Sequence, residues 1–376
     1  MTPKIERFLR DNQPNTPCVV LDLDQVEANF LHMRDAFPYA RIFYALKANP
    51  AKPVLQRLVK LGACFDAASW EEISLCLDAG ATPDRISYGN TIKKVASIRR
   101  AHAVGIDLFV FDSEEELEKI AANAPGARVF CRLMVSTEGA AFPLSRKFGT
   151  GSEMAVELLR KAATLGLVPY GLSFHVGSQQ VGPEPHSAAI GQVAMLFDEL
   201  EKSGIKLQMI NLGGGFPTTY NHAMPEIAEF GGKITRALTY HFGNDLPTVI
   251  VEPGRYMVGN AAVLEAEVVL VSQRARNNPL RWVYLDIGVF GGLSETVGEC
   301  TTYKITTPHD GGPTGPVIIA GPTCDSADTM YEKTNNHMPL ALTAGDRVRF
   351  SAAGAYITTY ATVGFNGFQP LAEYFV

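Results

Sequence analysis

The stretch RIFYALKANPAKPVLQRLVKLGACFDAA, residues 41–68, reads as strand, helix, strand. RIFYAL (41–46) and CFDAA (64–68) are short, apolar and β-favouring, and PVLQRLVKLG between them has the periodicity of an amphipathic helix. The pattern repeats. Further apolar runs follow as RISYG (85–89), DLFVF (107–111), RVFCRLMV (128–135), YGLSFHVG (170–177), MINLGGG (209–215) and TVIVEPG (248–254). Helical stretches such as WEEISLCLDAG, SEEELEKIAAN and AVELLRKAATLGL lie between them. The early runs recur roughly every 22 residues, the length of one βα unit, so the sequence predicts a (β/α)8 barrel. A doubly wound open sheet gives a similar order, but its G-x-G-x-x-G fingerprint after the first strand is missing.

Beyond about residue 260 the texture changes. AAVLEAEVVLVSQ, RWVYLDIGVF, GPVIIAGPTC and GDRVRFSAAGAY are β-rich and punctuated by Gly and Pro, which predicts a separate β domain. The early PCVVLDLDQVEANF (17–30) supplies that domain's first strand and then the barrel's opening helix. The expected division is a barrel over 22–260 and a β-rich domain from 1–21 and 261–376.

Composition narrows the function. A 376-residue chain that is 46% hydrophobic and 19% charged is typical of a globular protein with a large core. A net charge of −6 gives no reason to expect nucleic acid or an anionic membrane. Six scattered cysteines without C-x-x-C pairs argue against zinc and disulfides, and no metal is expected. No apolar run reaches spanning length, and the polar MTPKIERFLRDNQPNTP start is no secretory signal, so the expected location is cytoplasmic.

A barrel collects function at the C-terminal ends of its strands. Lys47 ends the first predicted strand and Asp66 the second; Arg132 lies on the fifth. The sixth ends in His175 and Ser178, the seventh in Gly213, Gly214 and Gly215, the eighth in Glu252, Pro253, Gly254 and Arg255. Glycines let backbone N–H groups approach a phosphate, and Arg255 can add a bidentate contact. An imidazole can stack on a planar ring, a carboxylate can keep a ring nitrogen protonated, and a lysine can bind an aldehyde. Aldehyde, pyridinium and phosphate together describe pyridoxal 5′-phosphate (PLP).

FYALKANP, FDAASWEEI, SFHVGSQ, NLGGGFP, EPGRYMV, GPTCDSAD and GAYITTYATVGFNGF resemble, in order, the motif series of the fold-type III PLP-dependent decarboxylases of basic amino acids. That family includes eukaryotic-type ornithine decarboxylase and the bacterial lysine/ornithine decarboxylases. The resemblance implies an alanine-racemase-like barrel with a β domain, working as a homodimer with shared active sites. It makes Lys47 the lysine that carries PLP as a Schiff base, stacks His175 on the ring and pairs Glu252 with the ring nitrogen. Ser178, Gly214, Gly215, Gly254, Arg255 and Tyr356 would hold the cofactor around its phosphate, with Asp66 and Arg132 beside the lysine. Cys324 would reach in from the partner subunit as the acid that protonates the substrate carbon. Asp325 would take the distal ammonium, with Phe290 and Phe365 lining the pocket and Glu295 or Glu299 supplying a second acid.

The resemblance thus implies decarboxylation of L-ornithine to putrescine, with lysine to cadaverine as a second reaction open to it, in polyamine biosynthesis. Lysine, diaminopimelate, arginine and an N-substituted ornithine stay open as substrates. Racemase chemistry on the same scaffold usually pairs the ring nitrogen with arginine, which Glu252 argues against. An inactive antizyme-inhibitor-like binding protein should have lost Lys47, Cys324, Gly215 or Arg255, and all four stand.

Overall fold

The computed structural model describes residues 1–144 and 146–376 and divides the chain into two compact units. The larger comprises 27–217 and 224–256; the other comprises 1–26, 218–223 and 257–376.

The larger unit is a closed barrel of eight strands: β1 Ala40–Ala45, β2 Cys64–Ala67, β3 Ile86–Tyr88, β4 Leu108–Phe111, β5 Arg128–Arg132, β6 Val168–Ser173, β7 Met209–Asn211 and β8 Thr248–Val251. Neighbours pair in parallel all the way round, β8 closing on β1 through Val249–Ala40 and Val251–Ile42. The strands are nearly continuous apolar runs because side chains on both faces are covered. Phe43, Cys64, Leu108, Val110, Phe130, Met209 and Ile250 fill the interior as one buried cluster. At Gly171, in β6, a Cβ would stand 2.1 Å from the Met209 carbonyl oxygen, so only glycine lets β7 pair there.

Hydroxyls start the outer helices sharply. Ser69 Oγ accepts the Glu72 N–H, and Glu72 in turn accepts the Ala68 N–H at 2.6 Å; Ser113 accepts the Glu116 N–H at the next helix. The loops after β5 and β6 also pair with each other, as a small antiparallel ribbon of Ala140–Phe142 and Ser178–Gln180. The sequence reading had no strand there.

The other unit is built on an eight-stranded mixed sheet. Its long central strand, Ala262–Gln273, pairs with Cys18–Leu21 on one side of its length and with Arg281–Leu285 and Arg347–Ser351 elsewhere. Cys18–Leu21 is the expected early strand, and it also pairs in parallel with Ala372–Phe375. An N-terminal helix, Pro3–Asn12, caps a satellite core of Ile5, Leu9, Cys18, Val20 and Val263. Its apolar residues at i, i+3 and i+4 (Ile5, Phe8, Leu9) are the signal that a reading for leader sequences passed over. Among the described residues, no helix is long and apolar enough to cross a membrane, and no group of three or more His, Cys, Asp or Glu is arranged to hold a metal.

Candidate active site

The barrel's C-terminal mouth gathers ten of the residues singled out from the sequence. Lys47 leaves β1 in a single 3-10 turn, Leu46–Ala48. Asn49 stops the turn: its Oδ1 accepts the Ala51 N–H at 3.0 Å, and its carbonyl takes the Tyr44 hydroxyl at 2.8 Å. Although β1 is buried, the Lys47 side chain is 45% exposed, so its ammonium is only partly desolvated. Its Nζ lies 3.6 Å from Oδ2 of Asp66, which is buried. Ser87 on β3 donates to Asp66 Oδ1 at 3.2 Å, and Gly89 leaves space that any Cβ would take from that carboxylate.

Glu252 follows β8. Burial and the nearby Asp66 carboxylate push it up to about 7, against the opposing pull of Lys47, an Asn211 hydrogen bond and Arg132. Asn211, at the end of β7, donates from Nδ2 to Glu252 Oε1 and accepts the Gly213 N–H on Oδ1 at 2.9 Å. One amide thus ties the acid to the glycine loop. Arg132, at the end of β5, stacks over the Phe148 ring at 5.2 Å.

His175 accepts the Gly177 N–H on Nδ1 at 3.0 Å, so its proton sits on Nε2. Burial, reinforced by the Arg132 and Lys47 cations, holds its pKa well below the usual imidazole value. It is a neutral ring. Arg255 is 97% enclosed; its Nε donates to Ser178 Oγ at 3.2 Å and its guanidinium covers Phe142 at 5.3 Å.

Between these groups lies the glycine loop. A Cβ on Gly214 would meet the Glu252 carbonyl at 2.6 Å and one on Gly215 the Gly177 carbonyl at 2.5 Å. The Gly213 and Gly215 carbonyls are taken by the N–H groups of Glu252 (2.7 Å) and Gln180 (2.9 Å), while the Gly214 and Gly215 N–H groups donate to no acceptor among the described residues. Two unspent backbone donors beside a buried arginine fit a phosphate. The buried acid Glu252 fits a ring nitrogen, and the part-exposed amine of Lys47 fits an aldehyde. The residues present suit PLP.

The remaining seven residues belong to the β domain. Phe290 and Phe365 meet with ring centroids 5.0 Å apart, and Thr362 donates twice to the Phe290 carbonyl, from N at 2.9 Å and from Oγ1 at 3.0 Å. The Cys324 N–H donates to Asn366 Oδ1 at 3.0 Å. Cys324 and Asp325 are exposed, and Asp325 Oδ1 accepts the Ala327 N–H at 2.9 Å. Asp328 braces this loop, accepting from the N–H of Val289 at 2.7 Å and both N–H and hydroxyl of Thr323. Tyr356 sits at φ +62 beside Tyr360. Glu295 is buried, whereas Glu299 spends its carboxylate on the N–H groups of Glu332, Lys333 and Thr334. That engagement removes Glu299 as a ready acceptor for a substrate ammonium.

A closed parallel barrel whose mouth holds a lysine, a buried acid and an arginine-backed glycine loop, joined in one chain to a β domain, defines the class of PLP-dependent barrel enzymes. The family model described as "Pyridoxal-dependent decarboxylase, pyridoxal binding domain" matches residues 23–259. A lysine/ornithine decarboxylase of Selenomonas ruminantium is 34% identical over 94% of this chain and 88% of its own length. Antizyme inhibitor 2 of Xenopus laevis is 34% identical over 93% and 78%. Among solved structures, a lysine/ornithine decarboxylase from Vibrio vulnificus complexed with cadaverine superposes with a TM-score of 0.89 at 32% identity, covering 99% of this chain and 97% of the other. "SrLDC" in complex with PLP and cadaverine gives the same TM-score and identity, covering 100% and 93%. The chain belongs to the pyridoxal-dependent decarboxylases that act on basic amino acids, and its cofactor is PLP.

Proposed function

We propose that the chain decarboxylates L-ornithine to putrescine as a homodimer, with L-lysine as a slower substrate. The observation that carries this reading is the joint presence of the barrel set (Lys47, Glu252, Arg255) and an exposed thiol, Cys324, next in sequence to the acid Asp325. The cofactor, when bound, supplies an electron sink for the charge left at the substrate's Cα as CO2 departs.

The chain's own residues do the rest. Lys47 Nζ is the point at which the aldehyde is held, with Asp66 and Arg132 beside it. Glu252 keeps a proton on the ring nitrogen, from a buried carboxyl whose pKa desolvation and Asp66 raise. His175, being neutral, covers the ring face without adding a competing charge. Ser178, Gly214, Gly215, Gly254, Arg255 and Tyr356 hold the phosphate. Cys324 of a second copy delivers a proton to the carbon that lost CO2. Asp325 takes the distal ammonium, and Phe290 with Phe365 lines the methylene chain. Glu295, buried in the same segment, is the second acid of the ammonium site. The product is a diamine of the kind used in polyamine synthesis. Six unpaired thiols suit a reducing compartment, which supports a cytoplasmic enzyme.

The test is release of labelled CO2 from carboxyl-labelled ornithine, lysine, arginine and diaminopimelate with PLP present. Ornithine is expected to give the highest kcat/KM. Lysine, one methylene longer, should follow by about 10- to 200-fold. Preference for arginine or diaminopimelate would overturn the substrate assignment, and no release from any of them the catalytic one. The likeness to an antizyme inhibitor supports a second reading, a non-catalytic binding protein. It requires that the purified chain release no CO2 from any of the four.

A further inference from the structure

The three peptide planes of the glycine loop are fixed in different ways. The Gly213 and Gly215 carbonyls are held by backbone N–H groups, of Glu252 and Gln180. The Gly214 carbonyl is held by a side chain: His186, in the first turn of helix Glu184–Lys202, places Nε2 3.1 Å from it. We propose that His186 is a positioning residue for the cofactor's phosphate, anchoring the Gly214 carbonyl so that the Gly215 N–H is aimed into the cradle. The inference rests on the reading that the glycine loop and Arg255 receive that phosphate.

The geometry follows from the peptide bond. In a trans peptide the C=O of one residue and the N–H of the next point in opposite directions. Pulling the Gly214 oxygen toward the core therefore turns the Gly215 hydrogen the other way. Gly215 has φ +98, so its own conformation resists rotation little and the plane needs an external anchor. A carbonyl only accepts, so His186 Nε2 carries the hydrogen and the ring donates.

His186 is fully enclosed by aromatic rings. It stacks on Phe216 at 5.3 Å and 21° and meets Phe174 and Phe230 edge-on at 6.3 and 6.2 Å. Among the described residues its Nδ1 finds no partner. For filling this slot, an apolar ring would be the better occupant, because an unpaired buried nitrogen costs stability. Among the described residues, the hydrogen bond to Gly214 is the one contact that an imidazole makes here and a phenyl ring does not. Burial keeps the ring neutral, its pKa pulled down to about 4, so the anchor holds across the pH range in which the enzyme would work.

The test compares PLP with pyridoxal, which lacks the phosphate, as ligands of the full-length chain freed of cofactor. His186→Phe keeps the aromatic packing and removes the donor. The expected result is a Kd for PLP raised about tenfold with the Kd for pyridoxal unchanged within about twofold, since one hydrogen bond to a charged group is at stake. His186→Met removes the donor by a second route if the phenyl ring does not fit. His186→Gln, which restores an N–H, should recover part of the PLP affinity. Equal weakening of both ligands, or no change in either, would overturn the role of His186. Arg255→Met is the control for the cradle: it must weaken PLP more than pyridoxal. If it does not, the phosphate lies elsewhere and the underlying reading fails; if it does and His186→Phe changes nothing, only the anchor fails.

Discussion

Glu252 is the residue on which the chemistry and the stability of the barrel mouth meet. Its folded-state pKa is about 7, raised from 4.5, so the folded chain binds the proton more tightly than the unfolded one. Stability of the cofactor-free protein is therefore greatest below pH 4.5 as far as this group is concerned, and falls as pH rises through 7. Glu252→Gln should flatten that decline, which amounts to at most about 3 kcal/mol. Urea unfolding of the stripped protein between pH 4.5 and 8 reads it directly; an unchanged slope would show that the acid is not the source. The same variant should lose most decarboxylase activity when PLP is restored. At Cys324 the expectation is separable: Cys324→Ala lowers kcat by about a hundredfold to ten-thousandfold with little effect on KM. Asp325→Asn instead acts mainly on KM. Steady-state kinetics on ornithine distinguish the two, and equal effects on both constants from either change would contradict the assigned roles.

Lys47, Asp66, Arg132, His175, Glu252 and Arg255 stood out in the sequence as reactive or charged types at or near barrel strand ends, whereas Cys324 and Asp325 stood out only through the resemblance. The roles of their supports did not stand out. Asn211, Asn366 and Asp328 stand inside the quoted motifs and Ser87 and His186 outside them, but each acts through a hydrogen bond to a residue elsewhere in the chain, and a polar side chain shows no such role until its partner is known.

Among the elements, the eight barrel strands followed from apolar runs at βα spacing, because a buried parallel strand needs little else. The ribbon of Ala140–Phe142 and Ser178–Gln180 was not legible: its register comes from loops that follow different strands, and its residues show no alternation of their own. Element stability also depends on a hidden charge. Lys93 Nζ, wholly buried, bonds the carbonyls of Asn90 and, on β4, Val110 at 2.7 and 2.6 Å and pairs with buried Glu116 at 3.0 Å. Desolvation pulls its pKa down to about 8. Glu116→Gln should destabilise the fold by about 3–5 kcal/mol, because it leaves the ammonium without its counter-charge. Replacing both partners, as Lys93→Met with Glu116→Leu, should return much of that loss. Denaturation midpoints decide it; a single variant as stable as the wild type would mean that the pair is not what fastens the loop after β3.

For the molecule as a whole, the two-part organisation was visible as a change of texture near residue 260, while the contribution of 218–223 to the β domain was not, since six residues carry no domain signature. Cys324 and Asp325 are exposed on the chain, as the proposed site shared with a second copy requires. Lys47→Ala and Cys324→Ala proteins, each inactive, should regain up to about a quarter of wild-type activity when mixed, the share expected if subunits reassort at random and each dimer keeps one intact site. Failure to regain activity despite demonstrated subunit exchange would argue for sites built within one chain.

The central claim is covalent: PLP is held on the Lys47 amine. Borohydride fixes the cofactor to whichever amine holds it, and trypsin should then release Lys47 in the peptide IFYALKANPAKPVLQR, residues 42–57. Mass spectrometry is predicted to find the phosphopyridoxyl group on Lys47 in that peptide. Finding it on another lysine, or on none, would contradict the account.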